Sequence, residues 1–119
     1  MKNINFEKVL EIIEKGDFKD IQQRQKRVAF VESVYFDITL KEGGVIRLEQ
    51  FDHVFNKLNK HFEYRIYLFV PVKDTSIESW TIDCKKRPIL YERINNIFYK
   101  LYQQLIEERD KEYSKYFPQ

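Results

Sequence analysis

One cysteine and two histidines are the chain's only thiol and its only side chains that titrate near neutrality unaided. Cys84 follows Asp83 and precedes Lys85, Lys86 and Arg87, and neighbouring positive charge lowers a thiol pKa and makes it reactive. No histidine is placed by the sequence to act as its base, so a small half-buried residue closing a strand is the plainer reading. His53 and His61 stand eight residues apart, which is not the i, i+4 spacing of a helical metal pair; they read as surface or capping histidines. Asp37 and Glu49 become neighbours across a hairpin, and paired carboxylates can hold a cation or divide acid and base roles. Arg47 and Lys41 are close enough to neutralise them, which favours an ordinary solvated charge lattice. The sequence contains no Gly-rich phosphate loop, no Gly-x-Ser-x-Gly and no His-Glu-x-x-His. No catalytic, cofactor-binding or metal-binding residue is therefore assigned, and the chain is read as non-enzymatic.

The 119 residues fit one domain, 43% hydrophobic and 34% charged with both signs spread throughout, a globular balance. A net charge of +2 is far from the surplus of DNA-coating proteins, and the single cysteine excludes an internal disulfide. No apolar run reaches the roughly 18 residues of a membrane span, and the N-terminus shows no apolar secretory segment, so the expected location is the cytoplasm. Ala29 is the sole alanine while Lys, Ile, Asn, Tyr and Phe abound. That bias fits A/T-rich codons, hence a low-GC bacterium or a phage or mobile element within one.

The elements that would position any site follow from hydrophobic period. Phe6, Val9, Leu10 and Ile13 mark a helix over 6–15, capped by Asn5, stapled by Ile4 and Val9, and ended by Gly16. Residues 17–27 give a poor signal, with Phe18 and Ile21 able to anchor a short turn and 22–27 polar throughout, and read as a connector. Val34, Phe36, Ile38 and Leu40 alternate with polar partners as a strand, extended upstream by 28–31 with a bend near Glu32 and Ser33. A three-residue loop of Glu42, Gly43 and Gly44, with Gly44 left-handed, sets a hairpin in which Leu40 opposes Ile46, Ile38 opposes Leu48, Thr39 meets Arg47 and Tyr35 meets Phe51. Asp52 caps a helix to about His61, 64–70 is a strand closed by Pro71, 73–79 a loop and 80–84 a short strand. From Pro88 the stripe Leu90, Ile94, Ile97, Leu101 and Leu105, widened by Tyr91, Phe98 and Tyr102, predicts a long last helix. Residues 108–119 read as a tail that frays or docks elsewhere. The predicted class is α+β, an antiparallel sheet of four to five strands with helices mainly on one face, in the order α-β-β-(β)-α-β-β-α. Bacterial secretion chaperones and roadblock-type modules have broadly similar element orders, and no motif in the chain selects either.

If Val34, Phe36, Ile38, Leu40, Ile46, Leu48, Ile66 and Leu68 face the helices, then Tyr35, Thr39, Arg47, Phe51, Arg65, Tyr67 and Phe69 face away. Four large aromatics on a side that should meet water mark an interface unless the last helix or its tail covers them. Tyr35, Arg47, Phe51, Arg65, Tyr67 and Phe69, joined by Tyr102 and Tyr113, are the candidate partner-binding residues, since Tyr, Phe and Arg are favoured in interface cores. The expected role is protein–protein contact as a homodimer, inhibitor, adaptor or chaperone. Aromatics on a sheet flanked by Arg also resemble a single-stranded nucleic-acid platform, an alternative kept alive by basic stretches at 24–27 and 85–87, although ribonucleoprotein signatures are absent.

Overall fold

A computed structural model of the chain describes residues 5–28, 31–53, 63–70, 76–82 and 86–118. Helix α1 spans Phe6–Lys15, strands β1 to β5 span Asp20–Val28, Val31–Thr39, Val45–His53, Glu63–Phe69 and Ser76–Ile82, and helix α2 spans Pro88–Ser114. The strands form one antiparallel sheet in the order β1-β2-β3-β4-β5, each beside its neighbours in sequence.

Local chemistry explains the ends of α1. The Asn5 side chain accepts from the Lys8 N–H at 3.2 Å, satisfying one of the donors that a first turn leaves unpaired. Gly16 is left-handed at φ 67°, and its N–H and that of Asp17 turn back to the carbonyls of Ile13 and Ile12. Ile4, the other half of the expected staple, lies outside the described residues.

Residues 17–27 are not a connector. Asp20–Val28 is a nine-residue edge strand running against β2, with Gln23 opposite Phe36 and Arg24 opposite Tyr35. Its run of Gln, Arg and Lys suits a sheet margin, where long charged side chains discourage edge-to-edge association. The break expected near Glu32 falls earlier, because β1 ends at Val28 and β2 starts at Val31.

The first hairpin keeps the expected faces but slips by two residues. Gly43, at φ 98°, takes the left-handed position, the Leu40 N–H donates to the Gly44 carbonyl at 2.8 Å, and Ile38 opposes Ile46 while Phe36 opposes Leu48. Electrostatics favours this choice. The expected register would set Asp37 directly against Glu49, whereas the observed one sets Asp37 against Arg47 and Glu49 against Tyr35.

The expected second helix is not among the elements: Asp52 and His53 belong to β3, and residues 54–62 lie outside the described ones. β4 follows its pattern, burying Tyr64, Ile66 and Leu68 in alternation. β5 begins at Ser76, within the expected loop, and ends at Ile82; Cys84 lies outside the described residues. Pro88 opens α2, preceded by an Arg87 held outside the helical region at φ -137° and ψ 70°, since the pyrrolidine ring disfavours a helical residue before it. The helix continues through Ser114, so most of the expected tail is helical. No helix among the described residues is long and apolar enough to cross a membrane.

Both helices pack on one side of the sheet. Val9, Leu10 and Ile13 of α1 and Ile94, Ile97, Phe98 and Leu101 of α2 join Phe36, Ile38, Ile46, Leu48, Tyr64, Ile66, Leu68 and Ile82 in one buried cluster, with Val34 and Leu40 partly buried against it. Phe36 meets Phe98 edge-on, with ring centroids 4.9 Å apart. The buried Tyr64 hydroxyl accepts from Gln50 Nε2 at 2.9 Å and donates to Asn95 Oδ1, so its polar end is satisfied, and burial raises its pKa.

The helices are also clasped to each other. The Arg93 guanidinium donates to Glu7 at 2.6 Å and forks onto Glu14. The hydrogen bond from Arg93 holds the Glu14 carboxyl below its ordinary 4.5. A carboxyl whose folded pKa is depressed adds stability that is present above the unfolded value and lost as pH falls from there through the folded one. We expect thermal stability to decline as pH drops below about 4.5, and Glu14→Gln to flatten part of that decline. The effect is small because the Glu14 side chain is 39% exposed and solvent screens the pair. A Glu14→Gln chain whose midpoint tracks the parent's at every pH between 3 and 6 contradicts the assignment.

Candidate functional site

On the side away from the helices, register alone assembles a mosaic of rings and charges. One row across the sheet reads Gln22, Asp37, Arg47 and Tyr67; the next reads Arg24, Tyr35, Glu49 and Arg65; Lys26, Ser33, Phe51 and Glu63 follow. Thr39, Val45 and Phe69 form a further row at the hairpin end. Tyr35, Phe51, Tyr67 and Phe69 are each half-buried there.

Arg47 is the hub. It bonds Asp37 through two nitrogens, Nε to Oδ1 at 2.7 Å and Nη2 to Oδ2 at 3.1 Å, in the planar two-point geometry that suits guanidinium to carboxylate. Its guanidinium carbon lies 4.4 Å from the Tyr35 ring centroid and 4.9 Å from that of Phe69, so rings from the two flanking strands sandwich it. The pairing with Asp37 raises the Arg47 pKa further. Arg65 repeats the arrangement, stacking 4.7 Å from the Phe51 centroid while its Nε donates to Glu63 at 3.0 Å. Between the two arginines sits Glu49, only 7% exposed on the side of the sheet away from both helices.

Six of the eight predicted contact residues thus come together: Tyr35, Arg47, Phe51, Arg65, Tyr67 and Phe69. Tyr102 and Tyr113 do not join them, since α2 lies on the opposite side of the sheet. The expected cross-strand meetings of Thr39 with Arg47 and Tyr35 with Phe51 give way, through the two-residue slip, to Thr39 with Val45 and Ser33 with Phe51. The Asp37 and Glu49 pair dissolves for the same reason, and Lys41 turns instead to Asp17. Sequence reasoning missed the β1 contribution of Gln22, Arg24 and Lys26. The missed signal was negative: 17–27 contains no Gly, Pro or Asn, which a connector of that length normally shows.

Among the described residues no three His, Cys, Asp or Glu side chains gather to hold a metal. The His53 and His61 side chains and Cys84 lie outside what is described. A cleft of about 340 Å³ opens between the end of α1 and α2, lined by Phe18, Asn96 and Lys100 among others; the Glu14 and Arg93 charges at its rim are engaged with each other.

The chain matches no protein-family model, no curated protein and no solved structure.

Proposed function

We propose that the chain is a non-enzymatic binding domain that holds another protein against the open face of its sheet, as an inhibitor, adaptor or chaperone does. One observation carries this reading. Tyr35, Phe51, Tyr67 and Phe69 stand on a face from which both helices are turned away, with Arg47 and Arg65 fixed among them. Rings pre-set by neighbouring guanidiniums lose little side-chain freedom on docking, which is the property of an interface hot spot.

The nucleic-acid alternative gains Arg24 and Lys26 from β1, on the same face as Tyr35. Two features weigh against it. Guanidiniums already cover one side of the Tyr35, Phe51 and Phe69 rings, where a base would stack. The face also sets Asp37, Glu49 and Glu63 among its cations, which repels a phosphate backbone.

A photoreactive residue placed at Tyr67 is expected to crosslink one protein in cells of the source organism. That protein, once purified, should bind the parent chain and lose about 100-fold or more in affinity for Phe51→Ala/Tyr67→Ala, provided the variant keeps its near-ultraviolet circular dichroism. Equal affinity for parent and variant contradicts the proposal. Oligonucleotide binding that weakens steeply with added salt, measured by fluorescence anisotropy, would establish the alternative instead.

A further inference from the structure

α2 carries a second stripe beside the buried one. Tyr99, Tyr102, Tyr113, Tyr116 and Phe117 are 65, 38, 55, 71 and 64% exposed. Tyr99, Tyr102, Ile106, Tyr113 and Tyr116 follow at intervals of three, four, seven and three residues, the 3.5-residue period of a two-helix seam, with Arg109 in its one polar slot. From Glu107 to Ser114 every residue of the helix is exposed, an overhang of about 12 Å at 1.5 Å per residue. The Phe117 N–H, donating to the Tyr113 carbonyl at 3.0 Å, carries the winding one turn on.

We propose that α2 pairs with α2 of a second copy of this chain, antiparallel, so that the overhang of each lies along Tyr99 and Tyr102 of the other. The spacing selects a second copy as occupant. About a centre between Glu107 and Glu108, Tyr99 is as distant as Tyr116, Tyr102 as Tyr113 and Ile106 as Arg109. A two-fold axis there lays ring on ring, the self-complementarity that a closed dimer demands. Arg109 meets the second copy at Ile106, one turn from that copy's Asp110, an opposite charge for the guanidinium. The area is adequate as well. At about 200 Å² per large aromatic residue, the exposed rings offer on the order of 600 Å² per copy, near the roughly 800 Å² that each partner contributes to a standard interface. The pairing leaves the open sheet face free, and it stands or falls separately from the reading of that face.

Sedimentation equilibrium of the full chain is expected to show a dimer whose dissociation constant rises about 100-fold or more in Tyr113→Lys/Tyr116→Lys, two lysines on the exposed overhang. Direction is read from disulfides. In a Cys84→Ser background, Tyr99→Cys and Tyr116→Cys variants should each fail to crosslink alone and should form a disulfide-linked dimer when mixed. A chain that stays monomeric at about 100 μM, a generous ceiling for a specific interface of this size, overturns the proposal. So does a dimer indifferent to both lysines, or a disulfide formed by either single-cysteine variant with itself.

Discussion

Phe36→Ala is expected to lower unfolding free energy by about 3–5 kcal/mol, and Phe69→Ala by no more than about 1 kcal/mol, in denaturant titrations followed by circular dichroism. Both are phenylalanines of one sheet, in β2 and β4, but alternation sends them to opposite sides. Phe36 is wholly buried and meets Phe98 edge-on, so truncation leaves a cavity walled by α2 that the rigid strand cannot close. Phe69 is half-buried, with the Arg47 guanidinium 4.9 Å from its ring centroid and the Tyr67 ring 6.3 Å away. Water replaces much of what the ring covered. Equal costs at the two positions would mean that the ring-bearing face is a second core, and the docking surface would have to be abandoned.

Arg47→Ala should have the largest effect of any substitution on the open face, about 2 kcal/mol. Three contacts go at once: the two-point bond to Asp37 and the stacks on Tyr35 and Phe69. The Asp37 side chain is only 19% exposed, so it keeps a carboxylate that water solvates incompletely. Arg47 itself is 33% exposed, which holds the figure well below that of a fully buried pair. A double-mutant cycle with Asp37→Ala isolates the pair, with an expected coupling of about 1 kcal/mol. Coupling below a few tenths would show a loose charge lattice, with no rigid hub to hold the rings in place.

Strong periods were legible in the sequence, and weak ones were not. α1 announced its apolar stripe and both caps, and the alternation of β2, β3 and β4 assigned every large residue to its correct side. That is why the ring face could be predicted even though the hairpin register was off by two: a slip of two preserves parity, and parity alone decides the face. Register itself turned on which of two adjacent glycines becomes left-handed, and the charge pairing of Asp37 with Arg47 held the better clue. β1 escaped notice because an edge strand buries little, so Gln22 to Lys26 lacked the apolar beat on which strand recognition depends. The helical overhang of α2 escaped for a related reason, since beyond Ile106 nothing in the fold asks for a stripe.

The meander order gives the molecule an ordered way to fold. Each strand pairs only with the one before and the one after it, so the sheet can zip hairpin by hairpin without closing a long loop. The clasp of Arg93 with Glu7 and Glu14, in contrast, joins residues 86 and 79 positions apart. The two ends of the chain must therefore come together over the inner side of the sheet to complete the core. The ring-bearing outer side is laid out by strand register alone, so the docking proposed for it draws on pairings that the clasp of the two helices does not make.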